Sequence, residues 1–230
     1  MADSTSTREV VLAQIRKRLS ESRVPAATEA ERGEEYRRIA RTYARGEAAV
    51  SDSKNLLSLF TERLVDYDAE VVRTTSDGVE GAIAALFKNA SEQRLMVPEG
   101  FPEAWLPQTL EILRDADENG AQLSHAALDR IKTVLTTASV GIAQTGTIIL
   151  DHTAGQGRRA LTLVPDRHIC IVRASQVVET VPEGVARILT RSTQPITFIS
   201  GPSATSDIEM TRIRGVHGPR FLSVVLVDGA

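Results

Sequence analysis

Apolar residues near the start of the chain recur at the period of a helix. Val11, Ile15 and Leu19 lie four positions apart and follow Ser6 and Glu9, which have the spacing of a capping box. This pattern predicts a short amphipathic helix with one apolar stripe. The stripe requires a partner surface, either on its own domain or on another subunit.

The next segment, residues 21–47, has a different composition. Arg, Glu and Ala dominate it, large aliphatic residues are nearly absent, and Pro25 and Gly33 interrupt it. Such a segment is typical of a solvated helix or a linker. We therefore predict an N-terminal helical appendage and linker over residues 1–48, followed by one α/β domain over residues 49–230.

Beyond residue 52 the hydrophobic pattern alternates between the periods of helices and strands. Helices are predicted around a face formed by Leu56, Leu57, Phe60 and Leu64, at residues 76–89, 126–128 and 183–190, and from about Ser206 onward. Short apolar runs predict strands at residues 69–73, 94–97, 111–114, 131–138, 147–150, 160–164, 168–172, 195–199 and 221–227.

Alternation of strands and helices predicts a mainly parallel sheet flanked by helices. The turns that join the predicted strands at 147–150, 160–164 and 168–172 are too short for a helical crossover. These three strands are therefore expected to form an antiparallel meander or extension of the sheet. The predicted fold class is α/β with a mixed, mainly parallel sheet.

Composition excludes several classes of protein. Apolar residues make up 42% and charged residues 25% of the chain, as in ordinary globular domains, which excludes wholesale disorder. The formal charge of −3 is too small to indicate an electrostatic nucleic-acid binder. Residues 141–230, however, carry nine arginines against seven acidic residues, together with three of the four histidines. This local balance favours a small anionic ligand.

Cys170 is the only cysteine, so the chain forms no internal disulfide and lacks the thiolates of an iron–sulfur cluster or a structural zinc site. Its apolar neighbours favour a small buried hydrophobe over a reactive thiol. We predict no cofactor, whether cluster, haem or flavin, and no metal site. The chain has no signal-peptide pattern and no run of 18 apolar residues, so we expect a cytoplasmic protein that is not inserted in a membrane.

Two glycine-rich segments imitate nucleotide-binding motifs without the required context. Gly141 and Gly146 have phosphate-loop spacing, but Thr147 replaces the lysine and a strand follows where a helix is needed. This segment is either a tight turn or a turn whose N–H groups and hydroxyls hold a carboxylate or phosphate. Residues 155–160 match the dinucleotide fingerprint but precede a predicted strand, which indicates a hairpin tip. The two arginines of this tip are either solvated or directed toward an anion.

The segment from Ser200 to Glu209 permits two compatible interpretations. Ser206 and Glu209 fit a capping box, with Asp207 in the same first turn of a helix. A Gly-Pro-Ser loop at the carboxyl end of a strand is also a common position for a ligand. His217, in a Gly-Val-His-Gly-Pro turn, is structural, exposed, or paired with Asp207 and Glu209 for proton transfer or metal ligation.

These segments together predict one site for a small anion, and no residue in it is assigned a catalytic role. The candidate ligand-binding residues are Gln144, Thr145, Gly146, Thr147, Gly201, Pro202, Ser203, Thr205, Asp207, Glu209, His217 and Gly218.

Two long segments resemble the LUD domain of the lactate utilization protein C family. They are GIAQTGTIILDHTAGQGRRALTLVPDRHICIV and ISGPSATSDIEMTRIRGVHGPRFLSVVLV, and the resemblance extends to VVLAQIRKRL and MVPEGFPEAWLP. It therefore covers nearly the whole chain. The resemblance implies a fold similar to the sugar-isomerase and CoA-transferase superfamily, in agreement with the α/β pattern.

The resemblance also implies a role in a lactate utilization system that, with two iron–sulfur partner proteins, oxidises L-lactate to pyruvate. Together with the resemblance, the single cysteine implies that this chain is the cluster-free accessory component, and we expect it to bind partner proteins and a small anionic ligand. The alternative is a stand-alone isomerase, ligase or acyl/CoA-transferase-like enzyme that acts on a small carboxylate or phosphate through Asp207, Glu209 or His217. A CoA-transferase mechanism needs an activated glutamate, and the predicted helical position of Glu209 is a poor match.

Overall fold

The computed structural model describes residues 7–21, 28–40, 42, 53–88, 93–116, 119–189, 195–206, 212–215 and 217–229. The chain divides into two compact units, Met1–Tyr43 and Ala44–Ala230. Each unit is described by itself below.

The first unit contains two helices. Helix α1 spans Thr7–Glu21, which confirms the helix predicted from the apolar stripe, and α2 spans Glu29–Arg38. Thr28 caps the N-terminus of α2 in a capping box. Its Oγ1 accepts from the Glu31 N–H at 3.2 Å, and the Glu31 carboxylate accepts from the Thr28 N–H at 2.7 Å. Ser6, the capping residue predicted for α1, lies outside the described residues.

The second unit is built on a six-stranded parallel sheet. With strands numbered in chain order, the order across the sheet is β1 (Glu70–Thr75), β12 (Phe221–Asp228), β7 (Arg167–Arg173), β4 (Thr133–Thr137), β2 (Arg94–Val97) and β3 (Glu111–Arg114). Every pairing between these strands is parallel. The α/β class predicted from the sequence is confirmed.

A second sheet of four strands is mostly antiparallel. Its order is β8 (Val177–Val178), β5 (Val140–Ile142), β6 (Thr147–Leu150) and β9 (Thr197–Ile199). β6 pairs antiparallel with both β5 and β9, while β5 pairs parallel with β8. A separate antiparallel pair joins β10 (Ala204–Ser206) to β11 (Arg212–Arg214).

Four helices complete the described part of the second unit: α3 (Ser53–Asp66), α4 (Val79–Leu86), α5 (His125–Asp129) and α6 (Val181–Leu189). Alternate residues of β7 enter two different apolar clusters. Cys170 packs in one with Phe60 and Leu64 of α3, and Ile169 packs in the other with Ile83 of α4. Both faces of the parallel sheet are therefore covered, which explains why its strands are apolar on both sides.

The prediction of a strand at residues 160–164 is wrong, because Arg159–Thr162 form a 3-10 turn. Leu161 and Val164 pack on the same apolar cluster, and their spacing of three residues is that of a helical turn. The predicted meander is therefore also wrong: β6 joins the second sheet, whereas β7 joins the parallel one. β5 was not predicted because Gly141 suggests a turn, yet this glycine is needed in the strand. A Cβ there would lie 2.9 Å from the Phe60 ring.

The helix predicted from about Ser206 is not formed at that residue, which belongs to strand β10 and pairs with Arg212 of β11. Residues 207–211, which include Asp207 and Glu209, lie outside the described residues.

The connections of the parallel sheet reverse direction between β2 and β4. The chain passes from β2 outward to β3, but from β4 toward β7 in the opposite direction. The loops that follow β2 and β4 therefore run in opposite directions from the carboxyl edge of the sheet. Open α/β sheets commonly bind ligands at such a point.

Candidate functional site

Two of the segments predicted to bind a ligand, the loop that contains Ser203 and the turn that contains His217, meet at a cavity of about 270 Å³, which we call the His168 cavity. Strand β7 supplies His168, the end of β9 and the following loop supply one wall, and the turn before β12 supplies another. The residues that line it are Arg159, Thr162, His168, Phe198, Ile199, Ser200, Gly201, Pro202, Ser203, Ala204, His217, Gly218, Pro219 and Leu222. None of these described lining residues is acidic.

His168 is a buried polar side chain in the otherwise apolar strand β7, with 1% of its surface exposed. Its Nε2 lies 2.8 Å from Thr136 Oγ1, and the same hydroxyl donates to the Cys170 sulfur at 3.7 Å. Burial, together with the positive charge of Arg159, lowers the pKa of His168 to about 4. The imidazole is therefore neutral at pH 7.

The adjacent arginines 158 and 159 have different environments. Arg158 forms a two-pronged ion pair with Asp115, at 2.6 Å through Nε and 2.9 Å through Nη2, and its pKa is raised by that hydrogen-bonded partner. Arg159 donates through Nη1 to Thr162 Oγ1 at 3.0 Å, and none of the described acidic residues pairs with it. Burial lowers the pKa of Arg159, which still carries its charge at neutral pH. Arg159 thus brings to the cavity a positive charge that has no acidic partner among the described residues.

Two loops hold the mouth of the cavity together. Ser203 donates its N–H to the Pro219 carbonyl at 2.8 Å, and its own carbonyl accepts from the Gly215 N–H at 2.9 Å. Ser203 Oγ accepts from the His217 N–H at 3.1 Å, which leaves the hydroxyl proton for another acceptor. Gly201, with φ of 86°, passes so close to Tyr67 that an added Cβ would lie 2.7 Å from the Tyr67 Cβ.

The predicted turn at Gln144–Thr147 lies beside this cavity but does not line it. The turn joins β5 to β6, and Gln144 is exposed at its tip. Thr147 Oγ1 lies 2.7 Å from Thr145 Oγ1 and 2.7 Å from Ser200 Oγ, so the turn supports the cavity wall from behind. Gly146 adopts φ of 56°, the left-handed conformation that a tight turn requires.

Five of the twelve predicted ligand-binding residues line the His168 cavity: Gly201, Pro202, Ser203, His217 and Gly218. Thr205 is placed in strand β10, and the positions of Asp207 and Glu209 are outside the described residues. From the sequence, Arg159 is only one of two tip arginines that are either solvated or directed toward an anion, and His168 is not singled out. A charged or polar residue within an apolar strand, as in Arg-His-Ile-Cys-Ile-Val-Arg, was the signal available for His168.

A second and larger cavity, of about 1040 Å³, lies at the carboxyl ends of β2 and β3. We call it the strand-end cavity. It is lined by Pro98, Glu99, Gly100, Glu103, Arg114, Asp115, Ala116, Gly120, Gln122, His152, Thr153, Ala154, Gly157, Arg158 and Leu161. Its two arginines are already paired, Arg158 with Asp115 and Arg114 with Glu103.

Residues 151–157 form a loop between the two cavities, and hydrogen bonds hold its side chains in place. His152 has φ of 58°, and its ring is held by the Gly157 carbonyl at 2.6 Å from Nδ1 and by Thr197 Oγ1 at 2.9 Å from Nε2. Burial alone would raise the pKa of Asp151, but hydrogen bonds from Ser139, Thr153 and Gln156 outweigh it and hold that pKa below its usual value. Both side chains thus have a structural explanation.

Within the described part of the chain, no group of three or more His, Cys, Asp or Glu residues is arranged to hold a metal ion. In the same residues, no helix combines the length and apolar character needed to cross a membrane.

Comparisons with known proteins give a consistent assignment. A model of the LUD domain matches residues 12–227. The chain is 49% identical over 174 residues to a Lactate utilization protein C of Deinococcus radiodurans. This alignment covers 75% of this chain and 79% of the relative. A Lactate utilization protein C of Geobacillus thermodenitrificans is 29% identical over 189 residues, covering 75% and 78%.

A crystal structure of a DUF162 family protein from Deinococcus radiodurans has a similar fold, with a TM-score of 0.66 and 45% sequence identity. The similarity covers 76% of this chain and 98% of that one. The likeness to the sugar-isomerase and CoA-transferase superfamily stays a prediction. The family model and the relatives agree over most of the sequence, and the chain belongs to the LUD domain family.

Proposed function

We propose that this chain acts in the cytoplasm as a cluster-free accessory component of a lactate utilization system, in which iron–sulfur partner proteins oxidise L-lactate to pyruvate. The role in lactate utilization is supported by relatives that bear the name Lactate utilization protein C. The single, buried cysteine supports the accessory role, because one thiol does not make the ligand set of a cluster. In this proposal the electron-transfer chemistry belongs to the partners.

We propose further that the His168 cavity binds a small anion. The observation that carries this proposal is Arg159, a guanidinium that lines a cavity whose described lining contains no carboxylate. A carboxylate or phosphate there would accept charge-assisted hydrogen bonds from Arg159 and a further one from the Ser203 hydroxyl.

Titration calorimetry with acetate and with inorganic phosphate tests the anion site. Arg159→Gln should weaken binding of either anion about ten- to a hundredfold, since a hydrogen bond to a charged group contributes about 1.5–3 kcal/mol. Arg73→Gln is the matched control, because Arg73 does not line the cavity, lies in edge strand β1 and pairs with Asp228. Equal affinities for the wild type and Arg159→Gln would refute the site.

Growth and co-purification test the role in the system. Deleting the gene from its source organism should abolish growth on L-lactate as sole carbon source, with growth on glucose retained. An affinity-tagged chain from lactate-grown cells should retain proteins that carry iron–sulfur clusters, identified by mass spectrometry and by their visible absorption. Normal growth of the deletion strain on L-lactate would overturn the proposal.

A further inference from the structure

We infer that the His168 cavity, together with the open edge of strand β9, binds the carboxyl terminus of an extended peptide from a partner protein, with the terminal carboxylate at Arg159. The inference rests on the small-anion site proposed above and names the source of the anion, which is the end of a polypeptide chain. It follows from the position of β9, the apolar mouth of the cavity and the polar groups inside it.

Strand β9 is an edge strand beside the cavity. Among the described strands it pairs only with β6, and it is the last strand of its sheet. Phe198 and Ile199 both line the cavity, although successive residues of a strand point to opposite faces. The cavity therefore meets β9 at its edge or at its carboxyl end. The N–H and C=O groups of an edge strand bind an extended peptide as an added strand.

Apolar side chains border the mouth of the cavity. Phe198 lines it and is 51% exposed. Leu163 is also exposed and lies beside the lining residue Gly218, because a Cβ on that glycine would be 3.7 Å from Leu163 Cδ1. Leu222, a buried lining residue, continues the apolar surface inward. An inorganic anion gains nothing from this surface, whereas a peptide that ends in an apolar residue removes it from water.

The polar groups of the cavity suit the end of a peptide. Arg159 binds the terminal carboxylate, and the Ser203 hydroxyl donates a further hydrogen bond to it. His168 is 1% exposed and contacts Thr136 through Nε2, whereas its Nδ1 has no hydrogen-bond partner in the described part of the chain. The last peptide group of the ligand carries both an N–H and a C=O. It therefore satisfies Nδ1 in either tautomer of the ring.

The size of the cavity is consistent with the end of a chain. Pockets for drug-sized ligands and cofactors usually have about 300–1,000 Å³, and the His168 cavity has about 270 Å³. The terminal residue of the peptide and its carboxylate occupy this volume. The preceding residues then lie outside the cavity, along the edge of β9.

Selection from a library of random heptapeptides, displayed with free carboxyl termini, tests the inference. We expect enrichment of sequences that end in Leu, Val or Ile. The enriched peptide, measured by fluorescence polarisation, should bind about tenfold or more tightly as the free acid than as its C-terminal amide, because the amide lacks the charge that pairs with Arg159. Acetate should compete with the free acid.

The outcomes distinguish this inference from the small-anion site. If no sequence is enriched, or if the acid and the amide bind equally, while acetate still binds in calorimetry, the inference is overturned and the anion site stands. Failure of acetate, phosphate and the peptides to bind would overturn both.

Two pairs of variants and one measurement on the wild type assign the contacts. Arg159→Gln should bring the acid-to-amide affinity ratio close to one, whereas Arg73→Gln should keep the wild-type ratio. Phe198→Ala should weaken the peptide about tenfold. Phe221→Ala, at a side chain that is equally exposed at 51% but does not line the cavity, should leave its affinity unchanged. Hydrogen exchange of the amides of residues 197–203 should slow when the peptide binds, and unchanged exchange there would overturn its addition to β9.

Discussion

Acidification below neutral pH should destabilise the protein through His168. The unfolded chain takes up a proton on this residue near the ordinary pKa of 6.5, but the folded protein does so only near 4. Between these values the unfolded state binds more protons, so the free energy of unfolding falls as the pH is lowered. This loss of unfolding free energy is absent above pH 6.5 and reaches its full size below about pH 4.

The size of the effect follows from the gap between the two pKa values. Each pH unit in this window corresponds to about 1.4 kcal/mol, so the complete loss is about 3 kcal/mol. This is a large part of the stability of a typical domain, which is about 5–15 kcal/mol. The hydrogen-bonded carboxylate of Asp151 has a pKa below 3.8. Its protonation therefore adds to the loss of stability only at lower pH.

Urea unfolding at several pH values between 7 and 4.5 measures this loss. Trp105, the single tryptophan, contacts Phe101 edge-on at 6.1 Å between ring centroids and provides the fluorescence signal. The wild type should lose about 2 to 3 kcal/mol more than His168→Phe over this interval. His125→Gln, which removes an exposed histidine from α5, should keep the wild-type dependence. Identical pH dependence in the wild type and His168→Phe would refute the reasoning.

Three further predictions concern stability and assembly. Asp151→Asn should lower the free energy of unfolding at pH 7 by about 1–3 kcal/mol, because the carboxylate accepts bonds from the N–H and hydroxyl of Thr153; an unchanged urea midpoint would contradict this. Phe60→Ala should cost about 3–5 kcal/mol in the same assay, whereas Phe198→Ala, at a side chain that is 51% exposed, should cost far less. Removing residues 1–48 should leave the melting temperature of the remaining chain unchanged but abolish co-purification with partners, and a substantial drop in melting temperature would show that these residues stabilise the core.

Local apolar runs sufficed to predict most strands of the parallel sheet. The strands predicted at residues 94–97 and 111–114 coincide with β2 and β3, because both are short, apolar and bounded by polar residues or proline. Residues 160–164 look equally like a strand, but in the fold Leu161 and Val164 face one cluster as a helical turn. A five-residue segment with four apolar residues does not distinguish these two outcomes.

The site was less predictable than the fold. The Gly-Pro-Ser loop and the Gly-Val-His-Gly-Pro turn could be recognised as loops that are candidates to border a ligand site, since glycine and proline identify loops. The role of His168 depends on Thr136, 32 residues away in the adjacent strand, and on the burial of both. The direction of Arg159 depends on the 3-10 turn that replaced the predicted strand. No local pattern contains either relation.

The position of β12 determines when this fold can be completed during synthesis. β12 follows every other described strand in the chain but lies inside the parallel sheet, where Ser223 pairs with both Glu70 of β1 and Ile169 of β7. Until β12 leaves the ribosome, β1 has no neighbouring strand and β7 has an open edge. Such long-range pairing slows folding, and open edges favour association with other chains. The parallel sheet of the nascent chain therefore has an open edge at β7 until β12 is added.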